Sequence, residues 1–361
     1  MSLRTLSLLT TAVAVASAVS FSAQATDISF YGQAHISADY LDNDDDTALN
    51  ISSNTSRFGI RASHEIEPGL KVLAQIESLV RLDEGDTDLG SRDSFVGLQG
   101  NFGLIRVGYM DSLSKQIRTK TDLFGNKVGD ARNIVRGGGV DIDKRLRNSV
   151  HYKSPAYNNF TFDVHYSSND NKGTTADNEN DVINTAITYD DKSLYISLAY
   201  ERQGQPVAND TSGIRLGASY IISPRWQVTA LVQRTSDFTT PLIAGSGDNI
   251  FRLETPYGDR TAWGVGVRYK LDKYDLSAQY YSAGDADHLE NSGADMLALG
   301  IDRKFGKNLS VYAAYALTRN DDNTRYFNVS GGGGHGKAIS LNQIEAGADL
   351  QAISIGAIYN F

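Results

Sequence analysis

Residues 56–81 read SRFGIRASHEIEPGLKVLAQIESLVR, and the alternation of their side chains decides the fold. A period of two places successive side chains on opposite faces of a sheet. One face carries Phe58, Ile60 and Ala62, followed after the short turn 66–69 by Val72, Ala74 and Ile76. In a soluble sandwich this apolar face is the core, whereas in a membrane barrel it meets lipid and the polar face meets water.

The same pattern recurs along the chain and predicts sixteen strands. They are expected at 27–40, 56–65, 70–81, 93–100, 104–109, 148–153, 161–167, 182–189, 194–202, 214–221, 227–235, 261–269, 275–282, 296–303, 310–317 and 348–361. Dividing the 336 residues that follow a 25-residue leader by sixteen leaves 21 for each strand and its connection. That spacing suits barrel strands of about 9–11 residues.

The connections alternate between short turns and long polar loops, which favours the membrane barrel. Long loops are expected at 169–181, 204–212, 236–260, 283–293 and 318–347, with short turns between them. Outer-membrane barrels have short periplasmic turns and longer outer loops. The last strand, with Tyr359 and Phe361, is an awkward free edge in a soluble protein but closes a barrel by pairing with the first strand.

Residues 1–25 are predicted to be a cleaved signal peptide. Arg4 is the basic region, 6–19 the apolar region, and Ala23-Gln24-Ala25 the cleavage site. Removing Arg4 changes the net charge from −9 to −10, and this acidic balance argues against a nucleic-acid partner. The chain has no cysteine, which excludes disulfide scaffolds, thiolate metal sites and cysteine nucleophiles.

Residues 111–144 show no sustained helical or strand pattern, although clear strands flank them. Five aspartates are mixed there with seven lysines and arginines. Unstructured connections of this length are rare inside compact domains and are usually functional or disordered. We predict that this segment folds into the lumen of the barrel and narrows it.

Several short motifs, in order and at their spacing, resemble the Gram-negative general-diffusion porins, which are trimeric 16-stranded outer-membrane barrels. The motifs are Phe30-Tyr31-Gly32, Ser56-Arg57-Phe58-Gly59, Phe95-Val96-Gly97-Leu98, Arg147-Asn148-Ser149-Val150, Tyr152-Lys153-Ser154-Pro155 and Tyr359-Asn360-Phe361. The resemblance spans essentially all of 26–361. It implies an all-β transmembrane antiparallel barrel of sixteen strands, with residues 111–144 as an inward-folded third extracellular loop. It also implies outer-membrane lipid as surroundings and a homotrimer as the assembly.

The resemblance further implies basic wall residues facing acids on the loop. Arg57 and Arg147 match two wall positions, and Arg61 shares the inward face of Arg57, with Arg106 as a further candidate. The expected acids are Asp122 and Asp130, whereas Arg132 and Arg136 alternatively extend the basic side. Two usual basic positions are occupied by Gln33 and Tyr109. Each charge is alternatively a solvated wall residue or part of a structural ion pair.

The resulting functional prediction is a water-filled pore for passive diffusion of small hydrophilic solutes and ions. A substrate-specific porin and a non-transporting adhesin or anchor are the alternatives. The six histidines are scattered without catalytic or metal-ligand spacing, and the acidic tip 42–46 lacks the spacing of a calcium loop. We therefore expect no enzyme, metal or cofactor. The acidic loops favour cations at the mouth while a basic wall opposes them, and the sequence favours cations overall.

Overall fold

The computed structural model describes residues 27–137, 141–168, 180–204, 210–236, 239–244, 251–256, 259–330, 335, 337–340 and 343–361. The predicted signal peptide lies outside these residues and stays a prediction. Among the residues described, no helix is long and apolar enough to cross a membrane.

The described chain is almost entirely antiparallel sheet. Its first strands are β1 (Asp27–Asp42), β2 (Thr47–Ser53), β3 (Arg57–Glu67), β4 (Leu70–Arg81), β5 (Asp86–Asp88), β6 (Ser94–Gly100), β7 (Gly103–Asp111), β8 (Arg145–Lys153) and β9 (Phe160–Ser167). They are followed by β10 (Val182–Asp190), β11 (Leu194–Gln203), β12 (Thr211–Ile221), β13 (Trp226–Ser236), β14 (Thr239–Ala244) and β15 (Phe251–Pro256). The last are β16 (Arg260–Leu271), β17 (Tyr274–Ala283), β18 (Ala294–Phe305), β19 (Leu309–Asn320) and β20 (Asp349–Asn360).

These strands close into a barrel with sixteen wall positions. Each wall strand pairs with its neighbour, and β20 returns to β1, where Gln33 faces Asn360 and Asp42 faces Gln351. β2 and β3 share one position because both pair with β1, and β5 and β6 share another because both pair with β4. β14 and β15 form a separate hairpin. All sixteen predicted strands are therefore confirmed, and β2, β5 and the hairpin are additions to them.

The two faces of the wall are opposite in character. Phe58, Ile60 and Ile76 face outward and are 38%, 38% and 59% exposed, as the alternation predicts for a surface that meets lipid. Polar and charged side chains alternate with such residues and face inward, and many of them are buried there. Arg215 on β12 is among the largest of the fully buried side chains in the described part of the chain.

The segment 111–144 contains two helices, contrary to its predicted irregularity. They are α1 (Leu113–Thr121) and α2 (Arg132–Val135). Ser112 caps α1, because its Oγ accepts the backbone N–H of Lys115 at 3.1 Å. Leu113 and Ile117, four residues apart, place two apolar side chains on one face, and they pack on Ala186 and Ala199 of the wall. The pattern is too short to register as a helix in the sequence alone.

Candidate functional site

Residues 111–144, called the inserted loop from here on, lie against the inner face of the barrel wall. Leu123 donates its backbone N–H to Gln279 Oε1 at 2.9 Å. Gln233 donates to Val135 O and Arg215 donates to Ser114 O, both at 2.8 Å. These wall side chains alternate with exposed apolar neighbours such as Val232 and Leu216, so they point into the lumen. The loop is therefore inside the barrel.

The loop also packs closely on small wall residues. Gly129 has a φ of +76°, and a Cβ there would lie 2.4 Å from Ala298 Cβ, closer than packed carbons allow. At Gly300 a Cβ would lie 2.8 Å from the ring of Phe124. The resulting apolar core joins the loop to β18 and β19 on the inside of the barrel, through Phe124, Val128, Ala298 and Ala316.

A buried ionic cluster, formed by Arg118, Arg132, Asp122, Asp130 and Asp143, holds the loop in shape. Arg118 contacts all three acids, at 2.7 Å to Asp143, 3.3 Å to Asp122 and 3.8 Å to Asp130. Arg132 contacts both carboxylate oxygens of Asp130, one of them at 2.5 Å. All three acidic side chains are fully enclosed. Asp122 and Asp130 therefore do not present their charge to the lumen, where the sequence placed them.

The two central acids have opposite pKa shifts. Burial alone would raise the pKa of Asp130, but the guanidinium groups of Arg132 and Arg118 outweigh it and hold that pKa below its usual range. Burial, and then the negative charge of Asp130, raise the pKa of Asp122 to about 7. Asp122 thus has less positive charge beside it than Asp130 has.

We expect the inserted loop to pack more stably at pH 5 than at pH 7. An ordinary aspartate has a pKa of about 4. Between about pH 4 and pH 7, Asp122 therefore binds a proton in the packed loop that it does not bind in the released loop. Packing of the loop accordingly becomes less stable as the pH rises. The depressed pKa of Asp130 acts in the opposite direction, but only below about pH 4. The conductance noise of single channels, recorded at pH 5 and pH 7, measures how stably the loop is packed. The variant Asp122→Asn should show the same noise at both pH values. Equal noise of the wild type at both pH values would contradict the prediction.

Seven charged residues of β3, β4, β7, β8, the connection before β6 and the start of the inserted loop form a second group, the eyelet cluster. Its members are Arg57, Glu77, Arg92, Asp93, Asp111, Lys115 and Arg145. Arg57 lies 3.8 Å from Glu77, which also pairs with Arg92. Arg145 pairs with Asp93 at 2.6 Å and with Asp111 at 3.0 Å, and Lys115 reaches Asp111 at 2.9 Å. The cluster holds four cations and three acids.

The predicted wall residues have distinct surroundings. Arg57 belongs to the eyelet cluster, and Arg61 stacks over the Tyr31 ring at 3.9 Å while donating to Gln75. Arg106 donates to His151 Nδ1 at 2.9 Å and lies over the Phe95 ring. Arg147 lies over the Tyr109 ring at 5.5 Å and lines a cleft with the outward-facing Val107 and Val150.

Arg145, rather than Arg147, supplies the arginine of β8 to the eyelet cluster. A bulge causes this shift: Gly108 faces Ser149 while Met110 faces Leu146, so two residues of β8 oppose one of β7. The second of those two, Asn148, has a φ of +47°. Of the two alternatives, Arg132 is buried against Asp130, and Arg136 pairs with Asp141 at 3.1 Å.

A second long loop, residues 321–348 and called the closing loop here, also contacts the inserted loop. Phe327 is fully buried against Gly137, with the Arg260 guanidinium 5.0 Å from its ring centroid. Val329 O accepts the Gly129 N–H at 2.9 Å. The sequence predicts a long polar loop at 318–347, and its glycine run 331–334 lies outside the described residues. Phe327 and Val329 are apolar residues in an otherwise polar stretch of sequence, and this is the signal that could have revealed the contact between the two loops.

The closing loop is also fixed on the opposite side of the mouth. His335 Nε2 lies 3.1 Å from Asp39 Oδ2 on β1. Lys337 reaches Glu84, on the connection between β4 and β5, at 2.6 Å. Two loops therefore narrow the lumen. Among the residues described, no group of three or more His, Asp or Glu side chains is arranged to hold a metal ion.

Comparison with known proteins agrees with this architecture. The family model of the Gram-negative porins matches residues 10–323. Outer membrane porin protein 32 of Delftia acidovorans is 28% identical over 324 residues, covering 86% of this chain and 85% of that protein. The solved anion-selective porin from Comamonas acidovorans has a TM-score of 0.75 at 22% identity, covering 93% of this chain and 100% of that one. OmpT of Vibrio cholerae, solved in a trimer form, has a TM-score of 0.65 at 19% identity, covering 94% and 100%. The chain belongs to the Gram-negative porin family and is a pore protein of the outer membrane.

Proposed function

We propose that this porin passes small hydrophilic solutes and ions by passive diffusion, with a preference for anions. The solutes would pass beside the eyelet cluster, which joins the wall to the start of the inserted loop. Selectivity in channels comes from the diameter of the pore and from rings of charge facing it. The observation that carries the preference is the enclosure of Asp122, Asp130 and Asp143, which removes three of the five acids of the loop from the path.

The charges that remain beside the path are mainly basic. The eyelet cluster has one cation in excess, and Arg61 and Arg106 lie on the same wall below it. On the loop side, Lys120 is exposed, while Arg136, about a third exposed, is balanced by its partner Asp141, which is 42% exposed. This balance opposes the cation preference expected from the sequence, which rested on the acidic loops at the mouth of the pore. The similarity to an anion-selective porin points the same way.

The zero-current potential across a salt gradient in planar bilayers tests the preference. The zero-current potential of wild-type channels is expected to have the sign of a pore that prefers anions. The double substitution Arg57→Gln and Arg145→Gln should shift the potential toward cations, because it leaves Glu77, Asp93 and Asp111 with two fewer cations. Arg202→Gln is the matched control, since Arg202 pairs with Asp181 and Asp210 away from the eyelet cluster. A cation-preferring wild type would contradict the proposal.

A substrate-specific porin remains the second candidate because aromatic rings lie beneath arginines on the lumen wall. Tyr31 lies beneath Arg61 and Phe95 beneath Arg106. Saturable block of the ion current by one solute class would favour this alternative. We assign no catalytic role, since the relatives are porins, which are channels.

We further propose that the protein assembles as a homotrimer, as OmpT does in its trimer form. Several large apolar side chains on the outer face near β1–β6 are more exposed than most, among them Phe30 at 75% and Leu89 at 76%. Contacts between subunits would cover part of such a surface. The mass of the unheated protein in mild detergent tests this, and a monomer mass would contradict it.

A further inference from the structure

A cavity of about 460 Å³ lies inside the barrel between α1 and strands β8–β11. One face of α1 bounds it through Gln116, Ile117 and Lys120, and inward-facing residues of the four strands bound it opposite. It opens toward the short turns, because Asn159 and Lys192 of those turns also line it. This volume is within the range of small-molecule sites.

The chemistry of this cavity differs from that of the eyelet cluster. Three lysines line it: Lys120, Lys153 and Lys192. None of the described residues that line it is an arginine. Lysine binds phosphate as a compact point charge, whereas arginine serves where a carboxylate or a phosphate is recognised by a planar, two-pronged contact. The three lysine point charges therefore suit a compact anionic group such as phosphate.

The rest of the lining suits a polyhydroxylated body. Hydroxyl and amide groups come from Gln116, Asn159, Thr161, Thr188 and Ser197. The Tyr195 ring adds a flat apolar surface, with the Lys120 ammonium 5.8 Å from its centroid. A ring of this kind can pack on the C–H face of a sugar while the polar groups contact its hydroxyls.

The two acids of the lining are already engaged. Asp163 contacts His151 at 2.9 Å and Lys153 at 3.6 Å. Asp190 accepts the backbone N–H of Lys192 at 2.9 Å. Lys153 keeps 42% of its side chain exposed despite its contact, so its ammonium remains accessible from the cavity.

We propose that this cavity is a binding site for sugar phosphates in transit through the pore. The lysines bind the phosphate, and the hydroxyl and amide groups bind the sugar against Tyr195. The proposal rests on the pore as the route by which solute arrives. Its test does not use ion flow, so failure of the site and failure of the anion preference are distinguishable.

Calorimetric titration of the purified protein in detergent at low salt, with glucose 6-phosphate as the probe, tests the site. We expect binding to the wild type and at least a tenfold loss of affinity in the double variant Lys120→Gln and Lys153→Gln. Lys307→Gln, an exposed lysine in another turn at the same end, should bind as the wild type does. Resistance of the unheated barrel to detergent, which does not depend on the charge of the lumen, confirms that both variants are folded.

Four results would overturn the proposal. Three of them are the absence of wild-type binding, an equal loss of affinity in Lys307→Gln, and inorganic phosphate binding as tightly as glucose 6-phosphate, which would mean that the sugar makes no contact. Glucose alone should bind far more weakly, because it lacks the group that the lysines contact. Loss of binding in the eyelet variant Arg57→Gln, but not in the lysine variant, would place the ligand elsewhere and likewise overturn the site.

Discussion

Arg118→Met is expected to release the inserted loop from the wall and to raise single-channel conductance. Arg118 contacts Asp122, Asp130 and Asp143, and removing it leaves three enclosed carboxylates short of a partner. Breaking a buried ion pair in this way costs about 3–5 kcal/mol, or roughly two to four orders of magnitude in the packing equilibrium of the loop. Conductance histograms in planar bilayers, together with protease cleavage within 111–144, measure the release.

Arg136→Met is the control for this experiment. Arg136 lies in the same loop and pairs with Asp141, but both side chains are substantially exposed, at 31% and 42%. An exposed pair contributes about 0–1 kcal/mol, so conductance and cleavage should stay close to wild type. Equal effects of the two substitutions would show that the buried cluster does not hold the loop.

Phe327→Ala is expected to detach the closing loop from the inserted loop. Phe327 is fully buried against Gly137 and under the guanidinium of Arg260. Truncating a buried phenylalanine costs about 3–5 kcal/mol, which exceeds what the single hydrogen bond from Gly129 to Val329 can offset, about 1 kcal/mol. Hydrogen exchange should then speed up at residues 323–330 and at Gly129.

The matched control is Arg325→Ala, an exposed position two residues away in the same loop. In this control variant, hydrogen exchange at residues 323–330 and at Gly129 should be unchanged. A larger and noisier conductance in Phe327→Ala, with the barrel still resistant to detergent at room temperature, would show that the closing loop narrows the same path. Wild-type exchange rates in Phe327→Ala would mean that other contacts hold it.

The strands were predictable because alternation is a local property of the sequence. Phe58, Ile60 and Ile76 show it within single strands, and the closing pair of β1 and β20 follows from the apolar end of the chain. The contacts of individual lumen charges were not predictable. The bulge at Asn148 is invisible in the sequence, and it decides that Arg145 rather than Arg147 joins the eyelet cluster.

The burial of charged side chains was the second feature that could not be predicted from the sequence. Asp122 and Asp130 look like solvated acids, but Arg118 and Arg132 enclose them through contacts that depend on the path of the whole loop. The contact between Phe327 and Gly137 joins residues 190 positions apart, and no local pattern encodes it. Sequence thus predicts which segments form the pore, whereas the charge inside it depends on tertiary contacts.

The pairing of β1 with β20 has a consequence for how the molecule forms. Gln33 and its partner Asn360 are separated by 327 positions in the sequence. Assembly dominated by such distant partners is slow, because the entropy of bringing them together is lost before any contact compensates for it. During that delay the first strand keeps its backbone amides unsatisfied and prone to aggregate. A newly exported chain should therefore depend on a holding chaperone until its last strand arrives.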